Sequence, residues 1–262
     1  SSTTLPAGEV LLLFGIGGMT IFIILTLRRG EKIFHKAILS RPLLIRMACE
    51  AIGRVFFTLA LMLTPISSAS AILQATPLVV VMGAVIFFGE KIGWRRWTAI
   101  LFGFMGVLLI IKPGLSGFDP LSILALIGML GFAGRDLATR AATPELSNIQ
   151  LSVYGFFILI PTGLAMLFYT GGAVVPDALS TVYIMGTITF GSLAYYALTV
   201  AMRTGDISIV TPFRYTRMVF ALAVGVIVFA ERPDWITLLG VTIIISGGIY
   251  TLLRNRQEKL AK

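Results

Sequence analysis

Cysteine and histidine each occur once in the 262 residues, as Cys49 and His35. A single cysteine excludes an internal disulfide and any cysteine metal cluster, and a single histidine excludes a histidine-built metal site or catalytic triad. Charge is scarce as well: Asp, Glu, Lys and Arg make up 13% of the chain against 57% hydrophobic residues, and mean hydropathy is +0.95. A water-soluble core cannot hide that much apolar surface, because most of its outer positions must be polar. No polar run or Pro/Ser-rich linker is long enough to form a second, soluble domain. The opening SSTTLPAGEV lacks a basic n-region and a small-residue cleavage site, so the first apolar segment is expected to stay in the membrane rather than act as a signal peptide.

What is present is a series of apolar segments. A bilayer needs roughly 20 mostly apolar residues per helix, and that ruler predicts spans near 10–27, 43–62, 68–88, 95–111, 120–139, 149–169, 179–201, 207–229 and 235–253. The expectation is an all-α membrane protein with a single transmembrane domain over 1–262. When alternate loops are assigned to one side, sixteen of the Lys and Arg residues gather there, among them Arg28, Arg29, Lys32, Lys36, Arg41, Arg46, Arg135 and Arg140, and only Lys112 and Arg232 lie opposite. Such asymmetry marks the basic side as cytoplasmic and places the C-terminus inside, in a cell inner membrane. It also explains the net charge of +9 as flanking anchors rather than a nucleic-acid surface.

A shift of 141 residues lays Ile86–Trp94 (IFFGEKIGW) over Ile227–Trp235 (IVFAERPDW), and pairs Ala60 with Ala201, Ser67 with Ser208 and Gly106 with Gly247. The Glu90 loop falls inside and the Glu231 loop outside, so the two copies are expected to run in opposite orientation. Such inversion needs an odd number of helices per unit. The second repeat, 118–262, supplies five, whereas the first, 1–113, supplies four. The expected whole is two inverted five-helix repeats: ten transmembrane helices with nine visible and the first helix missing ahead of Ser1. Inverted repeats are the recurrent architecture of alternating-access carriers.

The stretch from Ala60 to Pro113, through SSASAILQATP, IFFGEKIGW and GFMGVLLIIKPG, resembles the EamA type of the drug/metabolite transporter superfamily, and Ala197 to Tyr250 resembles the same pattern through VFAERPDW and the later SGG. The resemblance implies a secondary transporter of small metabolites, no enzyme, with no cofactor or metal, working as a monomer or homodimer. It favours export, with aromatic or neutral amino acids as first candidates and other organic anions, nucleotides or flavins as alternatives. The chain departs from the pattern where Pro77 is matched by Met218, with Pro212 six residues earlier.

Charged groups deep in a membrane helix are costly and mark function by default, whereas those within a turn of the interface can snorkel. Glu50 and Arg54 are four apart on one helical face, a favourable pair that reads as a helix lock or, through Glu50, as a proton-coupling site. Pro212 frees a carbonyl one turn back, and Arg214 and Arg217 follow it on a shared face. The repeat shift pairs Arg217 with Thr76, Arg214 with Leu73, Tyr215 with Gln74 and Tyr195 with Arg54. Arg54, Gln74, Thr76, Tyr195, Tyr196, Arg214, Tyr215 and Arg217 are therefore the candidate substrate-binding residues, with Pro77 and Pro212 as hinges. Three arginines against one acid call for an anionic group on the substrate, and a guanidinium fork suits a carboxylate. Arg135, Asp136 and Arg140 read as a solvated anchor or, in the sharper alternative, as part of a gate, and Glu90 and Glu231 as caps on backbone. Glycines at Gly15, Gly18, Gly128, Gly131, Gly134, Gly247 and Gly248 read as close-packing positions. No nucleophile with a base lies at depth and no ATP-binding motif occurs, which leaves a channel as the rival from another class.

Overall fold

The structure, a computed structural model, describes residues 5–64, 66–111, 120–229 and 232–260. Among the described residues it is helical throughout, with no strand. The helices are α1 (Ala7–Arg28), α2 (Arg41–Leu63), α3 (Ile66–Leu73), α4 (Thr76–Phe88), α5 (Trp94–Ile111), α6 (Ser122–Arg140), α7 (Asn148–Phe157), α8 (Leu159–Thr170), α9 (Ala178–Thr204), α10 (Ile207–Val210), α11 (Thr216–Phe229) and α12 (Trp235–Leu260). Short 3-10 turns cover Lys36–Leu39 and Thr211–Tyr215. Five helical stretches among the described residues are long and apolar enough to cross a bilayer. Their outward faces carry large exposed side chains such as Ile86, Phe168 and Phe190, which hydrocarbon solvates where water would not. The protein is an all-α membrane protein.

Three of the predicted spans are interrupted, and the same backbone chemistry interrupts each. Pro77, second residue of α4, has no N–H to offer the Leu73 carbonyl at the end of α3. The Thr76 hydroxyl donates to that carbonyl instead. Pro212 lies in the 3-10 turn between α10 and α11, and Thr216, first residue of α11, donates its hydroxyl to the Phe213 carbonyl at 2.6 Å. Both downstream helices thus open on a threonine bonded three residues back. Under the 141-residue shift their starting points fall one residue apart. The third break, at Ile158, was not expected: Pro161 frees the Phe157 carbonyl and separates α7 from α8. Other ends follow local rules. Gly89 ends α4 at φ 64°, a left-handed conformation that favours glycine. The Ser180 N–H donates to Asp177 at 2.9 Å at the start of α9, and the Ser180 donors hold the Asp177 carboxyl below the usual carboxylate range.

The helices gather into two compact units, each drawing on both halves of the chain. The first is Ser1–Thr58 with Gly134–Thr204, and the second is Leu59–Ala133 with Gly205–Lys262. In the first, α1 lies along α8, α7 and α9. A Cβ on Gly8 would stand 2.5 Å from the Leu167 backbone nitrogen, and one on Gly163 would stand 2.7 Å from that of Leu12. Only glycine permits this crossing, where van der Waals contact between backbones replaces a hydrophobic drive. Phe156 fills the space beside it, its ring 5.0 Å from Phe14 and 4.9 Å from Tyr195. In the second unit, α5 lies along α12, and Gly106 and Gly240 block one another in the same way, each hypothetical Cβ meeting the other's carbonyl oxygen at 2.8 and 2.5 Å. Of the glycines read as close-packing positions, Gly15, Gly18 and Gly134 are tight, whereas Gly247 and Gly248 have only ordinary contacts.

Candidate functional site

The first unit buries a knot of charge. Glu50, in the middle of α2, is fully buried. Its carboxylate accepts from Arg54 at 3.1 Å, from Arg135 of α6 at 3.4 Å and from the Tyr195 hydroxyl of α9 at 2.9 Å. Arg46, one turn before Glu50, is 1% exposed. Its guanidinium spreads to the Thr139 hydroxyl at 2.9 Å, the Leu151 carbonyl at 2.9 Å and the Tyr195 oxygen at 3.0 Å. Arg135 is held a second time by Asp136, at 2.7 Å. Every charge therefore faces an opposite charge or a hydrogen-bonding dipole, the condition under which ions survive burial. The space beside it, with about 10 Å³ of room among Arg46, Arg135, Asp136, Thr139, Tyr195 and Thr199, is on the scale of one water molecule.

This arrangement corrects the anchor reading of Arg46, Arg135 and Asp136. All three are buried, because α2, α6 and α9 offer them partners that cost less than stretching to the interface. The Glu50–Arg54 pair exists as the spacing predicted. Arg54 keeps 28% of its side chain exposed. Tyr195 is buried with its hydroxyl engaged both as donor and as acceptor. Tyr196 packs on the α1–α7 core with its ring 5.9 Å from Phe22.

The second unit treats polar groups differently. Gln74 sits in the break between α3 and α4, 4% exposed, and its amide oxygen accepts from the Arg217 guanidinium of α11 at 3.0 Å. Arg217 itself stays exposed. The Gln74 amide nitrogen and the hydroxyl of Tyr215, which is 1% exposed, are buried without a hydrogen-bond partner among the described residues. Arg214 is half-buried on the same 3-10 turn, and Thr76 spends its hydroxyl proton on Leu73. The break between α3 and α4 thus brings an amide to the cation of α11. A buried donor left unsatisfied costs about 1–3 kcal/mol, a cost that an acceptor reaching Gln74 would offset. At the unit's edge Glu90 accepts the Ile207 N–H at 3.4 Å, a bond to backbone as expected. Glu231 lies outside the described residues, as do Lys112 and the stretch 112–119.

Interrupted membrane helices whose freed backbone and polar side chains meet at depth are a carrier's architecture, and the comparisons agree. The EamA-like transporter family matches residues 4–112 and 120–253. The chain belongs to that family, within the drug/metabolite transporter superfamily. EamA-like relatives include a riboflavin transporter of Rhizobium johnstonii, 26% identical over 84% of this chain and 72% of that protein. An S-adenosylmethionine uptake transporter of Rickettsia bellii is 26% identical over 85% of this chain and 77% of its own length. The pseudopaline exporter CntI of Pseudomonas aeruginosa is 26% identical over 94% and 86%. A solved crystal structure covering 97% of this chain and 90% of its own, at 18% identity, superposes with a TM-score of 0.81 and shares the fold. Membership makes the protein a membrane transporter of small metabolites and closes the intramembrane-enzyme alternative.

Within this EamA-like chain, Arg46 escaped the sequence reading as a functional candidate, and Arg135–Asp136 was read first as an anchor. Arg46 stands four residues before Glu50, as Arg54 stands four after it; the i, i+4, i+8 ladder was a visible signal for a charged face. Arg135–Asp136 carried a weaker one, adjacent opposite charges followed by Thr139 one turn on.

Proposed function

We propose that the protein is a secondary carrier that exports a small metabolite with an anionic group, an amino acid with its carboxylate held by arginine, across the inner membrane by alternating access. The observation that carries this reading is in the second unit: the guanidinium of the exposed Arg217 meets no carboxylate but the Gln74 amide oxygen, and the Gln74 amide nitrogen is a buried donor with no partner among the described residues. A carboxylate offers about four acceptor sites and the charge that Arg217 lacks. Arg214 adds a second positive charge on the same turn.

The inverted five-helix repeats and the inside C-terminus belong to the same proposal. Their support is the family's match in two consecutive stretches, together with helix breaks that recur one residue apart under the 141-residue shift. Pro77 and Pro212 are the hinges in this scheme. Glu50 keeps the two roles its spacing allowed, and its three donors favour the helix lock over proton coupling.

The relatives' cargoes, riboflavin and S-adenosylmethionine among them, set the panel for the test. Counterflow into proteoliposomes preloaded with aromatic amino acids, neutral amino acids, S-adenosylmethionine or riboflavin should show trans-stimulation by an amino acid and its loss in Arg217→Gln. Stimulation by riboflavin alone, which has no carboxylate, would reject the carboxylate reading. Ohmic current in planar bilayers would reject a carrier altogether.

A further inference from the structure

The segment joining α1 to α2 has a structure that its role as a connection does not require. It carries Arg28, Arg29, Lys32, Lys36 and Arg41 within fourteen residues, against one acid, Glu31. All five cations are exposed. Between them Phe34 is 84% exposed and Leu39 76% exposed, a poor arrangement for water and a good one for the boundary between headgroups and acyl chains.

The backbone beneath these side chains is pinned by α7. Ser147 and Gln150 form that helix's capping box, the Ser147 hydroxyl accepting the Gln150 N–H at 3.1 Å and the Gln150 side-chain oxygen accepting the Ser147 N–H at 2.8 Å. Both residues have a second partner in the segment. Ser147 donates its hydroxyl to the Glu31 carboxylate at 2.5 Å, and the Gln150 amide nitrogen donates to the Lys32 carbonyl at 2.7 Å. One turn further along α7, the Tyr154 hydroxyl donates to the Ile33 carbonyl. Three consecutive residues, 31 to 33, are therefore fixed to a helix end. The one acid is turned away to Ser147, and the 3-10 turn that follows is held by the Ala37 N–H bonded to His35 Nδ1 at 3.2 Å.

We propose that residues 28–41 form a preorganised binding site for anionic phospholipid headgroups, with the basic side chains on the phosphate and Phe34 and Leu39 in the acyl region. Charge complementarity selects the occupant. An ordinary flanking anchor needs cations alone; here the acid is sequestered, the backbone is immobilised before any ligand arrives, and the apolar pair points outward. The site stands apart from the substrate cluster and does not rest on the transport reading.

The test uses the full chain purified in dodecyl maltoside, with dioleoylphosphatidylglycerol and dioleoylphosphatidylcholine titrated separately and retained lipid counted by native mass spectrometry. Phosphatidylglycerol is expected to be retained in preference, with affinity about fivefold weaker for each of Lys32→Gln and Lys36→Gln and about 25-fold weaker for the double variant. Phe34→Ser should weaken both lipids. Gln150→Ala, which keeps all five cations and releases the Lys32 carbonyl, should also weaken phosphatidylglycerol if preorganisation matters. The substituted lysines and Phe34 are exposed, so folding is checked by an unchanged gel-filtration profile. Equal retention of the two lipids, or a double lysine variant that retains phosphatidylglycerol as wild type does, overturns the proposal. So does poly-glutamate binding to this segment more tightly than phosphatidylglycerol, which would point to an acidic protein partner.

Discussion

The first unit surrounds Glu50 with Arg54, Arg135 and Tyr195, while the second leaves Arg217 exposed against a single amide, Gln74. In the first, guanidinium meets carboxylate, and the room left is about 10 Å³, the scale of one water molecule. In the second, the Arg217 cation meets an amide oxygen; buried polar atoms without a partner among the described residues occur in both units, Ser40, Thr143 and Ser192 in the first and Gln74 and Tyr215 in the second. A closed ion network seldom adds net stability over apolar packing, and its best-attested use is to specify one arrangement of the elements that hold it. A cation that meets only a neutral amide can still take an anion from outside. Arginine therefore does opposite work in the two units, and the difference lies in whether the protein itself provides the counter-charge.

The largest expected effect is on the closed side. Glu50→Gln leaves Arg54 and Arg135 without that carboxylate and should cost about 3–5 kcal/mol. Thermal unfolding in detergent should drop by roughly 10 °C, and an unchanged midpoint would show that the knot locks nothing. Next comes Gly163→Ala, whose new methyl meets the Leu12 backbone at 2.7 Å; overpacking of this kind costs about 1–3 kcal/mol. The control is Gly247→Ala, where the nearest atom is 3.7 Å away and stability should barely move. If both glycine variants unfold alike, tight crossings are not what distinguishes them.

Effects on the open side should appear in binding rather than in folding. Arg217→Gln removes an exposed cation with one amide partner, so the unfolding midpoint should stay within a degree or two, while substrate affinity in counterflow falls roughly tenfold or more, the worth of a charge-assisted hydrogen bond. A destabilisation matching that of Glu50→Gln would erase the contrast between the units. Tyr215→Phe is the smallest and the sharpest. It deletes a hydroxyl that has no partner among the described residues, so stability should hold or rise by about 1 kcal/mol, with affinity reduced a few-fold. Lost stability without lost affinity would mean that Tyr215 packs and does not bind.

Much of this was readable from spacing. Glu50 and Arg54 fell on one face by their separation of four, and Pro77 and Pro212 marked two helix breaks by chemistry that operates within a turn. Pro161 obeys the same rule and was passed over, because the hydrophobic run around it is continuous. Arg46, Arg135 and Asp136 were harder. Their distance from a helix end is a property of one helix and permitted snorkelling, whereas the burial of Arg46 depends on Thr139, Leu151 and Tyr195, 93 to 149 residues away in the chain, and that of Arg135 on Glu50, 85 residues away, which meet them only once α2, α6, α7 and α9 are packed.

The sequence by itself determined that this is a helical membrane protein, roughly where its apolar spans lie, and, through its family motifs, that it belongs among small-metabolite transporters. The first two follow from composition and the length of apolar runs, the last from the resemblance alone. Only the tertiary structure decided which arginines are neutralised and which are left for a ligand, because that depends on what stands across a helix-helix contact. Hydropathy reports depth along one helix and is silent about the neighbour.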